Sequence, residues 1–323
     1  MRLVALDIGG TNTRFALARV GADGAIALEE PITLKTAEYA GIAEAWAEFE
    51  RRCPGPVPHA AAIAIAGSVA EDRVRMTNSA WAFRQSTLAG ELGLERLLVL
   101  NDFAAVAHAV AHAPAGDFLH IAGPDGPLPD AGTISVIGPG TGLGVAQLHR
   151  RDGAYHVQAT EGGHIGFAPV DALDDAILAR LRQRLGRVST ERVNAGPGIV
   201  EIHAVLAQQG GHPVADDLDD RAIWQRGLAG EDALARAAVE HFCRSLGSVA
   251  GDYALVHGAG AVVLAGGVGY RLRHLLPHSG FAERFRAKGR YETLMAHTPV
   301  KLITQSQPGL FGAAAAFAME HRA

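Results

Sequence analysis

Several groups of residues have the types and spacing needed to bind phosphate or to move a proton. The first group is Asp7, Gly9, Gly10, Thr11 and Asn12, directly after a short apolar run. Glycines let a backbone approach a ligand closely, and hydroxyl and backbone N–H groups can grip phosphate oxygens. Asp7, at the end of its run, is placed to hold Mg²⁺ through water. The alternative is a plain hairpin turn.

A second glycine-rich segment, residues 138–144, repeats this plan between the apolar runs 133–137 and 145–148. A strand, a glycine turn and a returning strand are expected. No lysine follows the glycines as in a Walker loop, and Leu143 stands where a dinucleotide-binding pattern needs glycine. Phosphate binding by a glycine-rich turn, with Thr141 as the single hydroxyl, explains the pattern better than a purely structural role of these glycines. A bulged hairpin is the alternative.

Asp102 is the candidate for a catalytic base. It follows the apolar run 97–100 and Asn101, and an Ala-rich segment of helical character comes next. Ligands of open α/β sheets lie beyond the carboxyl ends of the strands, which is where this pattern places Asp102. The alternative is that Asp102 or Asn101 caps the following helix, and a cap is compatible with a catalytic role.

Further polar residues occur in loops. Glu161 and His164 are three residues apart in a glycine-rich loop, so both side chains can converge on one small polar ligand. A metal site there would need another ligand close by, and no nearby cysteine offers one. Read alone, Glu161 is a solvated surface group, Glu191 a helix-start residue and Asn78 a turn residue.

Apolar runs and helical spacings alternate along the chain, as in an α/β protein. The buried run 261–264 ends in Gly266 and Gly267, where a flat ring can lie against the backbone. The Pro- and Gly-rich stretch 113–130 indicates a domain boundary near residue 112. An acidic loop is expected over 212–230, and helices over 38–52, 87–94, 173–185, 198–208, 231–256 and 309–320.

Composition narrows the function classes. The 323 residues suggest two domains. The formal net charge is −5 and lysine occurs only at positions 35, 288 and 301, so we expect no nucleic-acid partner. Cys53 and Cys243 can form neither a disulfide framework nor a Cys-rich zinc site, and a reducing cytoplasm is the expected compartment. Neither a signal peptide nor a membrane span is expected.

Together, the motifs have the order and spacing found in bacterial glucokinases. They are Asp-Ile-Gly-Gly-Thr-Asn at 7–12, Leu-Asn-Asp-Phe at 100–103, Gly-Pro-Gly-Thr-Gly-Leu-Gly at 138–144, Glu-Gly-Gly-His at 161–164 and Leu-Ala-Gly-Gly-Val at 264–268. The chain thus resembles this family, part of the actin, Hsp70 and sugar kinase fold group, over essentially its whole length. It lacks the Cys-rich zinc motif of the related branch of repressors and sugar kinases.

The resemblance implies an α/β protein with the two-domain actin-like ATPase (sugar kinase) fold and a cleft between the domains. A small domain would take residues 1–112 together with 302–323, and a large domain 113–301. The implied reaction is ATP-dependent phosphorylation of D-glucose, with Mg²⁺. Asp102 would take the proton from the 6-hydroxyl, and Asp7 would serve the metal.

The same resemblance assigns the remaining site residues. Those implied for sugar binding are Asn78, Asn101, Asp102, Gly138, Glu161, His164 and Glu191. Those implied for nucleotide binding are Asp7, Gly9, Gly10, Thr11, Asn12, Gly140, Thr141, Gly142, Gly266 and Gly267. We expect glucose as the small-molecule partner, no membrane partner, and a homodimer.

Two rival functions remain. One is a kinase of the same fold that acts on fructose, mannose or N-acetylglucosamine. The other is a non-catalytic sugar sensor, which would keep the sugar pocket without needing Asp102. The presence of Asp102 with both glycine segments argues against the sensor.

Overall fold

The computed structural model describes residues 1–76, 79–213 and 219–321. Its strands are β1 (Arg2–Ile8), β2 (Asn12–Val20), β3 (Ile26–Leu28), β4 (Ile32–Lys35), β5 (Ala60–Ile65), β6 (Arg73–Arg75), β7 (Ala82–Arg84), β8 (Arg96–Asn101), β9 (Phe118–Ala122), β10 (Gly132–Pro139), β11 (Leu143–Arg151), β12 (Ala154–Thr160), β13 (Ala259–Leu264) and β14 (Val300–Ile303). Its α-helices are α1 (Ile42–Arg52), α2 (Gln85–Glu91), α3 (Asp102–His112), α4 (Ala172–Leu185), α5 (Glu191–Asn194), α6 (Ile199–Gln209), α7 (Asp220–Ala229), α8 (Ala233–His257), α9 (Gly266–Arg271), α10 (Phe281–Arg286), α11 (Glu292–Ala296) and α12 (Pro308–Glu320).

The chain divides into two compact units. Unit 1 comprises Met1–Pro114, Val157–Ala159 and Gln305–Ala323, and unit 2 comprises Ala115–His156 and Thr160–Thr304. Unit 1 therefore takes both ends of the chain. Among the described residues, none of the helices is both long enough and apolar enough to cross a membrane.

The sheet of unit 1 has the strand order β3-β2-β1-β5-β8, and β4 also pairs with β2. β1 and β2 are antiparallel, with a register that runs from Arg2↔Arg19 to Ile8↔Thr13. β1, β5 and β8 are parallel neighbours. The predicted first hairpin is confirmed, and the carboxyl ends of three parallel strands come to the same edge as its turn.

Helix α1 covers one face of this sheet. It begins at Ile42 rather than at residue 38, after Gly41 in an extended conformation. Its apolar face buries Trp46 and Phe49 against Phe15 of β2, and the rings of Phe15 and Phe49 stack with centroids 4.8 Å apart. The spacing of these apolar residues was sufficient to predict the helix, and the aromatic cluster explains why that face is buried.

Helix α12 packs closely against α3 in unit 1. A Cβ built at Gly312 of α12 would lie 1.7 Å from the carbonyl oxygen of Ala105 in α3. Leu310, Ala313 and Phe317 are fully buried in the same cluster as Leu3 of β1. Only a residue without a side chain fits at position 312, because backbone rather than a flexible side chain stands in the way.

We expect Gly312→Ala to lower the free energy of unfolding by about 1–3 kcal/mol, since the two helices must move apart. Gly90→Ala is the matched control, because Gly90 also lies in a helix but a Cβ there meets nothing within 4 Å. That control should be neutral or stabilising by up to about 1 kcal/mol through helix propensity. Denaturant unfolding monitored by circular dichroism makes the comparison. Equal effects of the two changes would contradict the packing argument.

The sheet of unit 2 has the order β12-β11-β10-β13-β14-β9. β10 and β11 are antiparallel from Gly132↔Arg150 to Pro139↔Leu143, which confirms the second predicted hairpin. Its turn is shorter than the glycine-rich segment, because Gly138 and Gly144 already pair across the strands. β10, β13 and β14 are parallel neighbours. The long helix α8 is buried over most of its length beside this sheet.

The expected acidic loop over 212–230 is wrong in its second half, where α7 forms. Asp219 caps this helix, and its Oδ1 accepts a hydrogen bond of 2.8 Å from the Ala222 N–H. Ile223 and Trp224 are buried, and the Trp224 ring meets Phe242 edge-on. An acidic composition is typical of a surface loop, but acidic residues at a helix N-terminus also stabilise the helix, and that effect prevails here.

Candidate active site

The first glycine turn joins β1 to β2 in unit 1. The Gly9 N–H donates to the Asn12 carbonyl oxygen at 3.0 Å. Buried Thr36 donates its hydroxyl to the Gly9 oxygen at 2.8 Å and its N–H to the Thr11 oxygen at 3.1 Å. Three carbonyl oxygens of the turn therefore already accept bonds within unit 1. This pattern suits a turn that must offer donors, not acceptors, to an anion.

Asp7 stands at the end of β1, beside this turn. Its Oδ2 accepts a hydrogen bond of 3.3 Å from Arg14, to which the sequence alone gave no role. Burial raises the pKa of the Asp7 carboxyl above its ordinary value, and the Arg14 guanidinium opposes that rise. A Cβ at Gly309 would lie 3.0 Å from the Asp7 Cγ, so the start of α12 packs closely against this carboxylate through a glycine.

Magnesium needs few protein ligands, because it keeps most of its water and binds through one or two carboxylates and the substrate phosphates. A single carboxylate at the edge of a glycine turn fits that requirement. Asp7 is therefore a residue that could hold Mg²⁺ through water.

Asn101 and Asp102 lie where β8 passes into α3. Asn101 is the cap: its Oδ1 accepts from the Phe103 N–H at 2.8 Å and the Ala104 N–H at 3.1 Å, and its Nδ2 donates to the Gly67 oxygen at 3.1 Å. Asp102 is the first residue of α3, and its Oδ1 accepts from the Phe103 N–H at 2.8 Å. The helix N-terminus favours an anionic carboxylate at this position.

Unit 2 supports its glycine turn from two sides. Glu191, the first residue of α5, accepts a hydrogen bond of 2.9 Å at Oε2 from the Leu143 N–H. A Cβ at Gly142 would lie 2.5 Å from that same oxygen. On the other side, the Gly196 N–H donates to the Gly140 oxygen at 2.8 Å. The reading of Glu191 as a helix-start residue is confirmed, and the structure adds a contact to the turn.

Thr141 lies at the exposed tip of the turn, between Gly140 and Gly142. The Gly140 N–H closes the turn with a bond of 2.8 Å to the Gly142 oxygen. Within the described parts of the chain, the Thr141 hydroxyl has no hydrogen-bond partner. It is thus available to a ligand.

The glycines after β13 open helix α9 instead of a loop. Gly266 has φ +79, and a Cβ there would lie 2.6 Å from the Pro139 oxygen at the end of β10. Both the conformation and the close approach require glycine at this position. A Cβ at Gly267 would meet nothing within 4 Å. Gly138 lies in β10 beside the same contact, so these glycines bring α9 against the second hairpin.

Two loops of unit 2 that carry predicted sugar contacts are paired with each other. The Thr190 N–H donates to the Ile165 oxygen at 2.8 Å, and Arg187 donates to the His164 oxygen at 2.7 Å. The Tyr253 hydroxyl fixes the first loop by donating to the Gly162 oxygen at 2.5 Å. The backbone segments around Glu161, His164 and Glu191 therefore lie side by side.

The side chains of Glu161 and His164 face solvent, with exposed fractions of 67% and 54%. His164 Nε2 lies 3.9 Å from Glu161 Oε2. Two exposed polar groups this close can serve one polar ligand, and neither is committed to the core.

One group of three potential metal ligands occurs among the described residues, and it lies elsewhere in unit 2. It consists of Asp171, Asp174 and His241. Asp171 caps α4 and also accepts a bond from Arg284, while Asp174 accepts from the Val170 N–H at 3.1 Å and contacts His241 at 2.8 Å. These bonds use the carboxylate oxygens that a cation would need, so the group stabilises the packing of α4.

The predicted site residues are divided between the units. Unit 1 holds Asp7, Gly9, Gly10, Thr11, Asn12, Asn101 and Asp102. Unit 2 holds Gly138, Gly140, Thr141, Gly142, Glu161, His164, Glu191, Gly266 and Gly267. Asn78 lies outside the described residues. Thr36, Arg187 and Tyr253 support the loops but were not predicted, because each acts on a segment far away in the sequence.

The chain is similar to known proteins over nearly its full length. A family model described as glucokinase matches residues 3–320. A glucokinase of Zymomonas mobilis subsp. mobilis is 51% identical over 321 residues, covering 99% of each chain. A glucokinase crystal structure from an Antarctic psychrotroph is 35% identical, with TM-score 0.84, and the match covers 98% of this chain and 99% of the other.

A more distant structure shares the fold. It is a ROK family glucokinase from Streptomyces griseus in complex with glucose and AMPPNP, 21% identical with TM-score 0.65, and the match covers 98% of this chain and 99% of that one. The predicted actin-like α/β sugar kinase fold is thus confirmed. By the family model and the high identity over nearly its full length, the chain belongs to the glucokinase family.

Proposed function

We propose that Asp102 is the general base of an ATP-dependent glucose kinase. The reaction transfers the γ-phosphoryl group of ATP to the 6-hydroxyl of D-glucose. The observation that carries the assignment of Asp102 is its place directly after the carboxyl end of β8, as the first residue of α3. The glucokinase of Zymomonas mobilis and the glucose and AMPPNP complex from Streptomyces griseus support the substrates.

In this mechanism, the 6-hydroxyl oxygen of the sugar bonds to the γ-phosphorus, and the Asp102 carboxylate accepts the proton of that hydroxyl. The bond from that phosphorus to the bridging oxygen breaks, and ADP leaves. Phosphoryl transfer passes through a loose transition state, so the protein mainly positions groups and balances charge. Proton transfer by a positioned base typically contributes about 10²–10⁴-fold to the rate.

The glycine turns bind the nucleotide. In unit 1, the turn formed by Gly9, Gly10, Thr11 and Asn12 contacts the phosphate oxygens, and Asp7 would hold Mg²⁺ through water. The donors come from Gly10, Thr11 and Asn12, because the Gly9 N–H already bonds the Asn12 oxygen. When bound, that ion neutralises charge on the phosphates. In unit 2, Gly140, Thr141 and Gly142 form the second phosphate contact, and the backbone at Gly266 and Gly267 accommodates adenosine.

The polar loops bind the sugar. In unit 2, Glu161, His164 and Glu191 pair with ring hydroxyls, and Gly138 is a further contact. In unit 1, Asn101 pairs with a ring hydroxyl, and Asn78 is a further contact. The side-by-side placement of the two loops of unit 2 supports this assignment. A hydroxyl missing or inverted in another hexose would leave one group unpaired, at a cost of about 1–3 kcal/mol.

A hexose panel tests this function. With coupled detection of ADP, we expect the kcat/KM for glucose to exceed those for fructose, mannose and N-acetylglucosamine. A higher kcat/KM for one of the other sugars would show that this sugar, and not glucose, is the preferred substrate. Sugar binding without any ADP release would indicate a sensor.

Thr141→Val tests the second phosphate contact. The replacement keeps the shape of the side chain and removes a hydroxyl that has no protein partner in the described structure. We expect the ATP KM to rise by about 5- to 30-fold, the range of one lost hydrogen bond, with the glucose KM and the melting temperature nearly unchanged. A lower melting temperature with an unchanged ATP KM would mark the turn as structural only.

We also propose that the protein is a cytoplasmic homodimer. Light scattering should give twice the mass of the chain, and cell fractionation should recover the activity with the cytoplasm. A monomer mass at working concentration would contradict the dimer.

A further inference from the structure

The three lysines of the chain have different surroundings. Lys288 lies 2.6 Å from Asp252, and Lys301 lies 3.1 Å from Asp125, so both are ion-paired in unit 2. Lys35 is exposed in unit 1, and within the described residues its ammonium has no carboxylate partner. Its hydrogen bond goes to Asn12 Oδ1, at 3.0 Å.

This contact places Lys35 at the tip of the first glycine turn. β4 pairs with β2 so that Lys35 stands directly opposite Asn12. The next residue, Thr36, is fully buried and ties the Gly9 and Thr11 carbonyls. In the segment 35–36, the threonine thus bonds the carbonyl groups of the turn, and the lysine places a positive charge beside the turn.

The hydrogen bond also fixes the orientation of Asn12. An ammonium only donates, so the amide oxygen of Asn12 must face Lys35, and its NH₂ group must point away. The ammonium thereby covers the one side-chain oxygen at Asn12 that would repel a phosphate. Asn12 is left as a donor.

The charges around the turn explain why phosphate binding there needs a cation. Asp7 is acidic, and the neighbouring Arg14 is engaged with it at 3.3 Å. Bringing a polyphosphate beside a carboxylate requires positive charge, and lysine binds phosphate as a point charge. Lys35 supplies that charge on the same turn.

We propose that Lys35 binds the phosphates of the nucleotide at the first glycine turn. The inference rests on the proposed function for the identity of that nucleotide. An ammonium has three N–H donors, so on binding it keeps its bond to Asn12 Oδ1 and donates through another N–H to a phosphate oxygen.

Calorimetric binding of ATP and of adenosine, both with Mg²⁺ and without sugar, tests the proposal. Lys35→Gln keeps a donor for Asn12 but removes the charge. We expect it to weaken ATP binding by about 10- to 100-fold and to leave adenosine binding unchanged, because adenosine has no phosphate. Lys35→Arg should retain most of the ATP affinity.

Arg19→Gln is the matched control. It removes one positive charge from an exposed residue at the other end of β2, opposite Arg2. We expect its ATP affinity to equal that of the wild type, which separates a local contact from a general loss of charge.

Two results of the variant comparison would overturn the proposal. One is an unchanged ATP affinity in Lys35→Gln. The other is an equal loss of ATP and adenosine affinity with a lower melting temperature, which would make Lys35 a structural support of Asn12. If the wild type binds ATP but does not phosphorylate glucose, the proposed function fails. The ATP affinities of the Lys35 variants would still decide whether Lys35 binds the phosphates. Absence of ATP binding in the wild type would end both.

Discussion

Asp102→Asn is expected to lower kcat for glucose phosphorylation by about 10²–10⁴-fold, while the dissociation constant of glucose changes little. The amide keeps the size and the acceptor oxygen that bonds the Phe103 N–H, so α3 should form as before. It cannot accept the proton of the sugar hydroxyl. Steady-state kinetics and glucose binding, measured on the same preparation, check both parts.

Asp232→Asn provides the control for this change. Asp232 caps α8, with Oδ1 accepting from Leu234 and Ala235 at 2.8 and 2.9 Å, and asparagine caps helices equally well. The same substitution at this helix start should leave kcat unchanged. Turnover close to wild type in a correctly folded Asp102→Asn protein would remove Asp102 from the mechanism.

Glu191→Gln is expected to raise the glucose KM by about 10- to 100-fold, well above any change in the ATP KM. Glutamine can still accept the bond from the Leu143 N–H through its oxygen. Its NH₂ group, however, replaces the carboxylate oxygen that would accept from a ring hydroxyl. The change should also abolish discrimination against one particular deoxyglucose, because the hydroxyl that Glu191 reads no longer matters.

Glu191→Ala separates the two roles of this residue. It removes the support of Leu143 as well, so the ATP KM should rise together with the glucose KM. Glu161→Gln should raise only the glucose KM, and Glu240→Gln, an exposed ion-paired carboxylate on α8, should change neither. Equal rises of both KM values in Glu191→Gln would point to a folding role for these loops.

Local patterns along the chain were enough to predict both hairpins and most helices. Each glycine segment lies between apolar runs whose alternation matches a strand, and a turn is decided by the few residues within it. The family resemblance added the kinase fold. Local reading failed at α7, where acidic residues suggested a loop, and it left open whether Asn101 or Asp102 is the cap. Both outcomes depend on which side chains the surrounding fold buries.

Contacts between distant segments were decided only by the tertiary structure. Glu191 meets Leu143 across 48 residues. Lys35, the last residue of β4, and Thr36, the residue after it, reach the first turn from a neighbouring segment. No periodicity or spacing records such contacts, because they depend on sheet register and helix packing rather than on the preferences of nearby residues. The sequence therefore determined which residues can do the chemistry, and the tertiary structure determined which of their atoms hold the turns and which remain available to a ligand.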